Sequence, residues 1–167
     1  ELETIWRHAA AASIAAKYFA RKVRGVEPDV AATAGLLHDI GFLLMLMMEA
    51  QQLEMAMKES IESGRPMLEC EYDLLGFNHQ IWGETFIRAW RLPEVIADAI
   101  GKHHSPLKEP FNPLAAVLWL SDYLVTHVGF PCPNDIITTP SDDQINLLMS
   151  RIGLKPPMEH HVTESLV

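Results

Sequence analysis

Apolar residues recur along this chain every three or four positions and nowhere in sustained alternation, a pattern that predicts helices and no strands. From Glu3 to Arg24 the positions Ile5, Ala9, Ala12, Ala16 and Phe19 mark one helical face in an alanine-rich segment, and Gly25 closes it. Beyond Glu27-Pro28-Asp29 a second helix runs through His38-Asp39 toward Glu49, and a third, more polar one spans about Gln51 to Glu62 before Ser63-Gly64. Pro66 opens a short helix that Gly76 ends. Asn78 caps a helix from His79 to about Trp90, in which Trp82, Phe86 and Trp90 recur every four residues and predict a stripe facing the core. Met45, Met47 and Met48 read as core filler in the same way. Leu92-Pro93 starts a helix ending near His103-His104, and Asn112-Pro113 starts another that carries Asp122. After a loop from Gly129 to Pro140, Ser141-Asp142-Asp143 caps a last helix to about Ile152. The fold class expected is all-α, a helical bundle.

Composition narrows the picture. With 167 residues and 49% hydrophobic content the chain can bury one sizeable core, which fits one domain over residues 1–167. A net charge of −9 argues against sequence-independent binding to duplex nucleic acid or to anionic lipid. Cys70 and Cys132 lie far apart with no CxxC spacing, so free thiols in a reducing cytoplasm are expected. The apolar stretch from Gly41 to Met48 is too short for a bilayer, which takes about 20 residues. No membrane span is expected.

Against this apolar background the pair His38-Asp39, inside AGLLHDIGFLLM, is out of place. Burying a carboxylate beside an imidazole is costly unless both find partners, and a divalent metal satisfies both. His8, His79, His103, His104 and Asp122 complete a candidate ligand set, each on or at the end of a different helix save the doublet, which is how a bundle builds an interior metal site. One or two ions would fit, with Asp39 bridging them or orienting a water; iron, manganese, zinc and nickel all suit histidine with carboxylate. His79 lies in a first helical turn, where the dipole favours the neutral, metal-binding imidazole. The competing reading is a metal-free pocket in which imidazolium and carboxylate groups satisfy one another and fix helix packing. Lys102 and Arg88 are candidate phosphate contacts, and Glu71 a candidate acceptor behind a ligand. His127, His160 and His161 read as decoration outside the set.

These residues carry a resemblance. The segments IWRHAAAASIAA, AGLLHDIGFLLM, LLGFNHQIWGETFIRAWRLPEVIADAIGKHH and AAVLWLSDYLV resemble the HD superfamily of metal-dependent phosphohydrolases, and most closely its HDOD subgroup, over about residues 5 to 126. The resemblance implies that His8, His38, Asp39, His79, His103, His104 and Asp122 correspond to superfamily metal positions. It also implies a bacterial signalling or regulatory output domain that acts through protein partners or fused modules. The alternative it implies is a metal-dependent phosphohydrolase with Asp39 and Lys102 as catalytic candidates and a phosphate-containing small molecule as substrate. Related cyclic-di-GMP phosphodiesterases carry a GYP signature, where this chain has FNHQIWGETF around His79, so hydrolysis of that nucleotide is not expected. The subgroup usually has a further helical half upstream. The chain is therefore expected to be a fragment whose alanine-rich first helix exposes an apolar surface or covers it by homo-oligomer formation.

Overall fold

A computed structural model describes residues 2–133 and 140–155. Among them run nine helices: α1 Leu2–Ala20, α2 Pro28–Leu37, α3 Ile40–Met48, α4 Ala50–Ser63, α5 Met67–Leu75, α6 His79–Ala89, α7 Glu94–Ile100, α8 Pro113–His127 and α9 Asp142–Arg151. No strand occurs among the described residues, and the fold is all-α.

Small side chains decide how the first two helices meet. A Cβ placed on Gly35 of α2 would lie 2.8 Å from the Ala12 carbonyl oxygen and 2.9 Å from the Ala16 Cβ, so α1 and α2 approach to backbone contact. The buried alanines Ala9, Ala12, Ala15 and Ala16 are thus used inside the chain, where α1 packs on α2 and α8. Other residues of α1 and α2 do stand in solvent: Leu2, Trp6, Ile14 and Leu36. Side-chain caps fix several ends. Asn78 accepts from the Ile81 N–H, Asn112 from Leu114 and Ala115, and Ser141 forms a capping box with Gln144. Gly64 and Gly76 end α4 and α5 in the left-handed conformation, at φ 72° and 79°.

Two apolar clusters result. The larger joins α1, α2, α6, α7, α8 and α9 around Phe19, Ile87, Ile100, Leu118, Leu120 and Met149. The smaller joins the start of α1 to α3, α4 and α5 around Ile5, Phe42, Met45, Leu53 and Met67, with the buried thiols Cys70 and Cys132. Along α1, His8 stands between Ile5 of the smaller cluster and Ala12 of the larger. The polar residues therefore lie on the seam.

Three expectations need correction. The second helix does not run through His38-Asp39: it breaks there into α2 and α3, because Asp39 leaves helical geometry at φ −99° and ψ 18°. Trp90 does not join a core stripe. It is 69% exposed, since α6 ends at Ala89 and the Trp90 cap residue falls out of the helical period, while Trp82 and Phe86 are partly buried. Of the three methionines of α3 expected in the core, only Met45 is there; Met47 and Met48, in the last turn of α3, face solvent. The span Pro28–Met48 taken as one has 21 residues and a mean hydropathy of 1.8, enough by length and composition to cross a membrane, yet it is interrupted at the buried His38-Asp39 pair.

Candidate metal centre

Asp39 is the hub. It sits at the α2–α3 break, where leaving the helix lets its carboxylate and the preceding imidazole turn to the same side. On one side of it are His8 and His38: the two Nε2 atoms are 3.2 Å apart, His38 Nε2 is 3.3 Å and His8 Nε2 3.8 Å from Asp39 Oδ2, and Asp122 Oδ1 stands 3.3 Å from His8 Nε2. On the other side, His103 Nε2 and His79 Nε2 lie 3.5 and 3.9 Å from Asp39 Oδ1, and the His104 ring is 4.1 Å from His103 and 5.0 Å from His79, centroid to centroid. All seven residues expected to be ligands converge, from α1, the α2–α3 break, α6, the turn after α7, and α8.

The rings are aimed from behind. Each of four histidines gives its Nδ1–H to a protein acceptor: His8 to the Phe130 carbonyl at 2.7 Å, His38 to Gly35 at 2.8 Å, His103 to Ile100 at 2.6 Å, and His79 to the Glu71 carboxylate at 2.8 Å. A carbonyl only accepts, so the proton is on Nδ1 and Nε2 is the nitrogen presented to Asp39. Glu71 is completely buried on α5 and also accepts the His79 backbone N–H at 2.9 Å, which ties the start of α6 to α5. Close packing helps. A Cβ on Gly41 would overlap the His79 carbonyl oxygen and lie 2.7 Å from the Gly83 nitrogen, so only glycine lets α3 bring Asp39 this near to α6.

These contacts test whether a metal fits. Asp39 Oδ1, His79 Nε2, His103 Nε2, His104 Nε2 and Asp122 Oδ1 are buried without a hydrogen-bond partner, the 3.5 Å approach of His103 to Asp39 being a charge contact rather than a bond. Each such group costs about 1–3 kcal/mol if left unmet. Two nitrogens each about 2.1 Å from one ion and near a right angle apart would sit about 3 Å from each other, as those of His8 and His38 do. Two sets have the convergence a metal needs: His8, His38 and Asp39, and Asp39, His79, His103 and His104. The residues fit one or two divalent ions.

Electrostatics divides the cluster. Burial pulls the His38 imidazole down, but the Asp39 carboxylate outweighs it and pushes the group up to about 10. His8 is raised in the same way, burial being outweighed by the Asp122 carboxylate that faces it at 3.3 Å, and His79 is raised because Glu71 outweighs burial. Burial pushes His103 down and, joined by the charge of neighbouring His103, pushes His104 well down. Asp39 is held well below the usual carboxylate range, the imidazoles around it, His38 first, overcoming its burial. The first set attracts a cation in place of a proton; in the second, His103 and His104 offer neutral imidazoles, whereas His79, expected to be neutral from its place in the first turn of α6, is instead raised by the Glu71 carboxylate.

The other candidates fall elsewhere. Arg88 is engaged on the surface by Glu84, Glu94 and Asp98. Lys102 Nζ reaches the Pro110 carbonyl at 3.5 Å. His127, exposed at the end of α8, gives its Nδ1–H to the Tyr123 carbonyl at 2.7 Å, and His160 and His161 lie outside the described residues. One contributor was missed from the sequence: Gln80, a buried amide next to His79, which no motif marks.

Comparison with known proteins now decides the family. The family model of the HDOD domain matches residues 1–106. The chain belongs to the HDOD family. The matched span holds every ligand candidate except Asp122, which α8 supplies from beyond it. Among curated proteins none matches significantly. Among solved structures, an HDOD domain protein of unknown function from Geobacter sulfurreducens is 24% identical, with a TM-score of 0.74 over 98% of this chain and 53% of that one. A provisionally named phosphohydrolase from Shewanella amazonensis is 18% identical, with a TM-score of 0.76 over 99% of this chain and 60% of the other. A provisionally named signal transduction protein from Marinobacter aquaeolei is 21% identical, with a TM-score of 0.80 over 97% of this chain and 36% of its own. At these identities the likeness is one of fold. The HDOD chain described here spans between about a third and three fifths of those proteins' lengths.

Proposed function

We propose that this HDOD chain is a bacterial, cytoplasmic signalling module that works through protein contacts, with the His–Asp cluster serving as a metal-binding pin between its two apolar clusters. The observation that carries this reading is burial. Six of the seven ligand residues are at most 8% exposed, and both basic side chains expected to hold phosphate are turned to other partners. A phosphohydrolase must admit a phosphoryl group to its ions, whereas a pin only has to stay closed. The exposed apolar residues Trp6, Ile14, Met47, Met48 and Ile61 support protein contacts, self-association included, because such surface is usually covered in use.

The phosphohydrolase reading draws on one observation of its own. Asp39 stands between both ligand sets, and the Asp122 side chain, 12% exposed, gives the cluster an edge toward solvent. Bound divalent ions would supply an activated water and draw charge from a phosphoryl group. Asp39 would then bridge or orient, as its two oxygens already face different histidines.

Elemental analysis of protein purified without a histidine tag, a phosphoesterase screen over mono- and diesters with added manganese, iron, zinc or nickel, and melting with and without chelator separate the two. The pin predicts bound metal, a melting temperature lowered by chelator and no turnover. Stabilisation is about 2.7 kcal/mol when free metal is a hundredfold above its dissociation constant. Metal-dependent turnover that Asp39→Asn abolishes would replace the signalling reading with the enzymatic one.

A further inference from the structure

Gln80 is the second residue of α6 and only 6% exposed, an unusual place for an amide that touches no ligand position by motif. Its side chain faces the turn that follows α7. There the backbone satisfies Gly101 through Ala97, Lys102 through Ala99 and Ser105 through Lys102, while the N–H groups of His103 and His104 both point at the Gln80 carboxamide. Two donors require an acceptor, so the oxygen is the atom turned toward them, at 3.2 Å from the His103 nitrogen and 3.0 Å from that of His104.

Adjacent residues on a helix diverge by about 100°, so two neighbouring imidazoles do not ordinarily serve one centre. Here they do. The His103 and His104 rings are 4.1 Å apart and both lie against His79, at 5.6 and 5.0 Å. The backbone must be held in a turn that sends both inward, and His103 Nδ1–H to Ile100 fixes only one of the rings. We propose that Gln80 is the positioning residue of the second ligand set: its Oε1 clamps the two N–H groups, and so sets the metal affinity of Asp39, His79, His103 and His104 without touching the ion. The proposal rests on the metal-binding reading above. It places His79 and the residue beside it in one device, in which α6 supplies a ligand and the clamp for two others.

The test compares Gln80→Leu, which keeps the bulk and removes the acceptor, with Gln80→Glu, which keeps the acceptor. Co(II) titration of chelator-stripped protein, followed by calorimetry and visible spectra, should show the Leu variant weakened by about ten- to hundredfold at one of two sites, with the other within twofold and the Glu variant close to wild type. Amide hydrogen exchange adds a readout that needs no metal and no variant: the His103 and His104 amides should be protected in wild type. Unprotected amides in wild type, a Leu variant with both affinities unchanged, or a Glu variant as impaired as Leu would overturn the role of Gln80 alone. Wild type that takes up no Co(II) would overturn the metal reading and the role together. If the Leu variant does not fold, the Glu variant and the wild-type exchange still decide.

Discussion

The two sides of the pocket are built by different means. On the side of α1 and α8, His8 and His38 lean on main-chain carbonyls, Phe130 and Gly35, which no substitution at those positions removes. On the side of α5, α6 and α7, His79 leans on the Glu71 carboxylate and the His103-His104 turn on the Gln80 amide, with only the His103 ring held by a carbonyl. A site backed by main chain is as durable as the fold, and one backed by side chains can be tuned or lost by single changes. The charge balance follows the neighbouring carboxylates rather than the sides: His8, His38 and His79 are raised by theirs, while His103 and His104 are lowered by burial.

The largest break in this comparison is expected from Glu71→Ala. It leaves the His79 backbone N–H and Nδ1–H without their acceptor inside the protein, and removing one member of a buried ionic pair costs about 3–5 kcal/mol. Urea denaturation should register that loss, and Co(II) binding should weaken at the second ligand set only. Equal weakening of both sets would mean that the two sides are not independent.

Next comes Gly41→Ala. The added methyl meets the His79 carbonyl and the Gly83 nitrogen, both backbone atoms that cannot swing away, so α3 and α6 must part. Overpacking of this kind costs about 1–3 kcal/mol. Because Asp39 rides on α3 and His79 on α6, the move should separate Asp39 from the second set while leaving His38 beside it. Unchanged melting would show that the helices are less tightly apposed than the contact distances require.

Much of this was legible in the sequence, and what was not has physical causes. Helix ends marked by Asn78, Asn112, Ser141, Gly64 and Gly76 could be placed because each marker acts locally, through its own hydrogen bond or its own φ. Of the seven ligand candidates, His38-Asp39 and Asp122 stood out as polar residues in apolar stretches, and His8, His79, His103 and His104 joined them by residue type and by the resemblance. The break at His38-Asp39 carries no glycine or proline within the pair; it is imposed by the pocket, since a continuous helix would send the two side chains about 100° apart. Glu71 could be suspected but not assigned, because its partner comes from another helix. Gln80 was invisible for the same reason: the two N–H groups that donate to its oxygen lie on the turn after α7, and nothing local announces them.

A smaller effect is expected from Asp122→Asn, which keeps the shape and removes the charge that faces His8 at 3.3 Å. Affinity at the first ligand set should fall about tenfold, the low end for a perturbed ligand neighbourhood, with the second set unaffected. Metal stoichiometry at limiting Co(II) measures it. A loss confined to the second set would reverse the assignment of Asp122.

The smallest effect is expected from Trp90→Ala, and its value lies in where it acts. Trp90 stands at the C-terminal cap of the same helix whose first residue is His79, 69% exposed, with its ring 4.7 Å from Phe86. Losing that one aromatic contact costs about 0.5–1.5 kcal/mol, whereas Trp82, stacked on Phe77 at 4.6 Å within the smaller apolar cluster, should cost more when cut to alanine. If the second ligand set depends on the first turn of α6, held by Glu71 and Gln80, then fraying the last turn changes the melting temperature slightly and the Co(II) affinity less than twofold. A Trp90→Ala protein that loses Co(II) as Glu71→Ala does would mean that α6 acts as one rigid lever from end to end, and that the second side of the pocket is held by the whole helix rather than by the two side chains behind it.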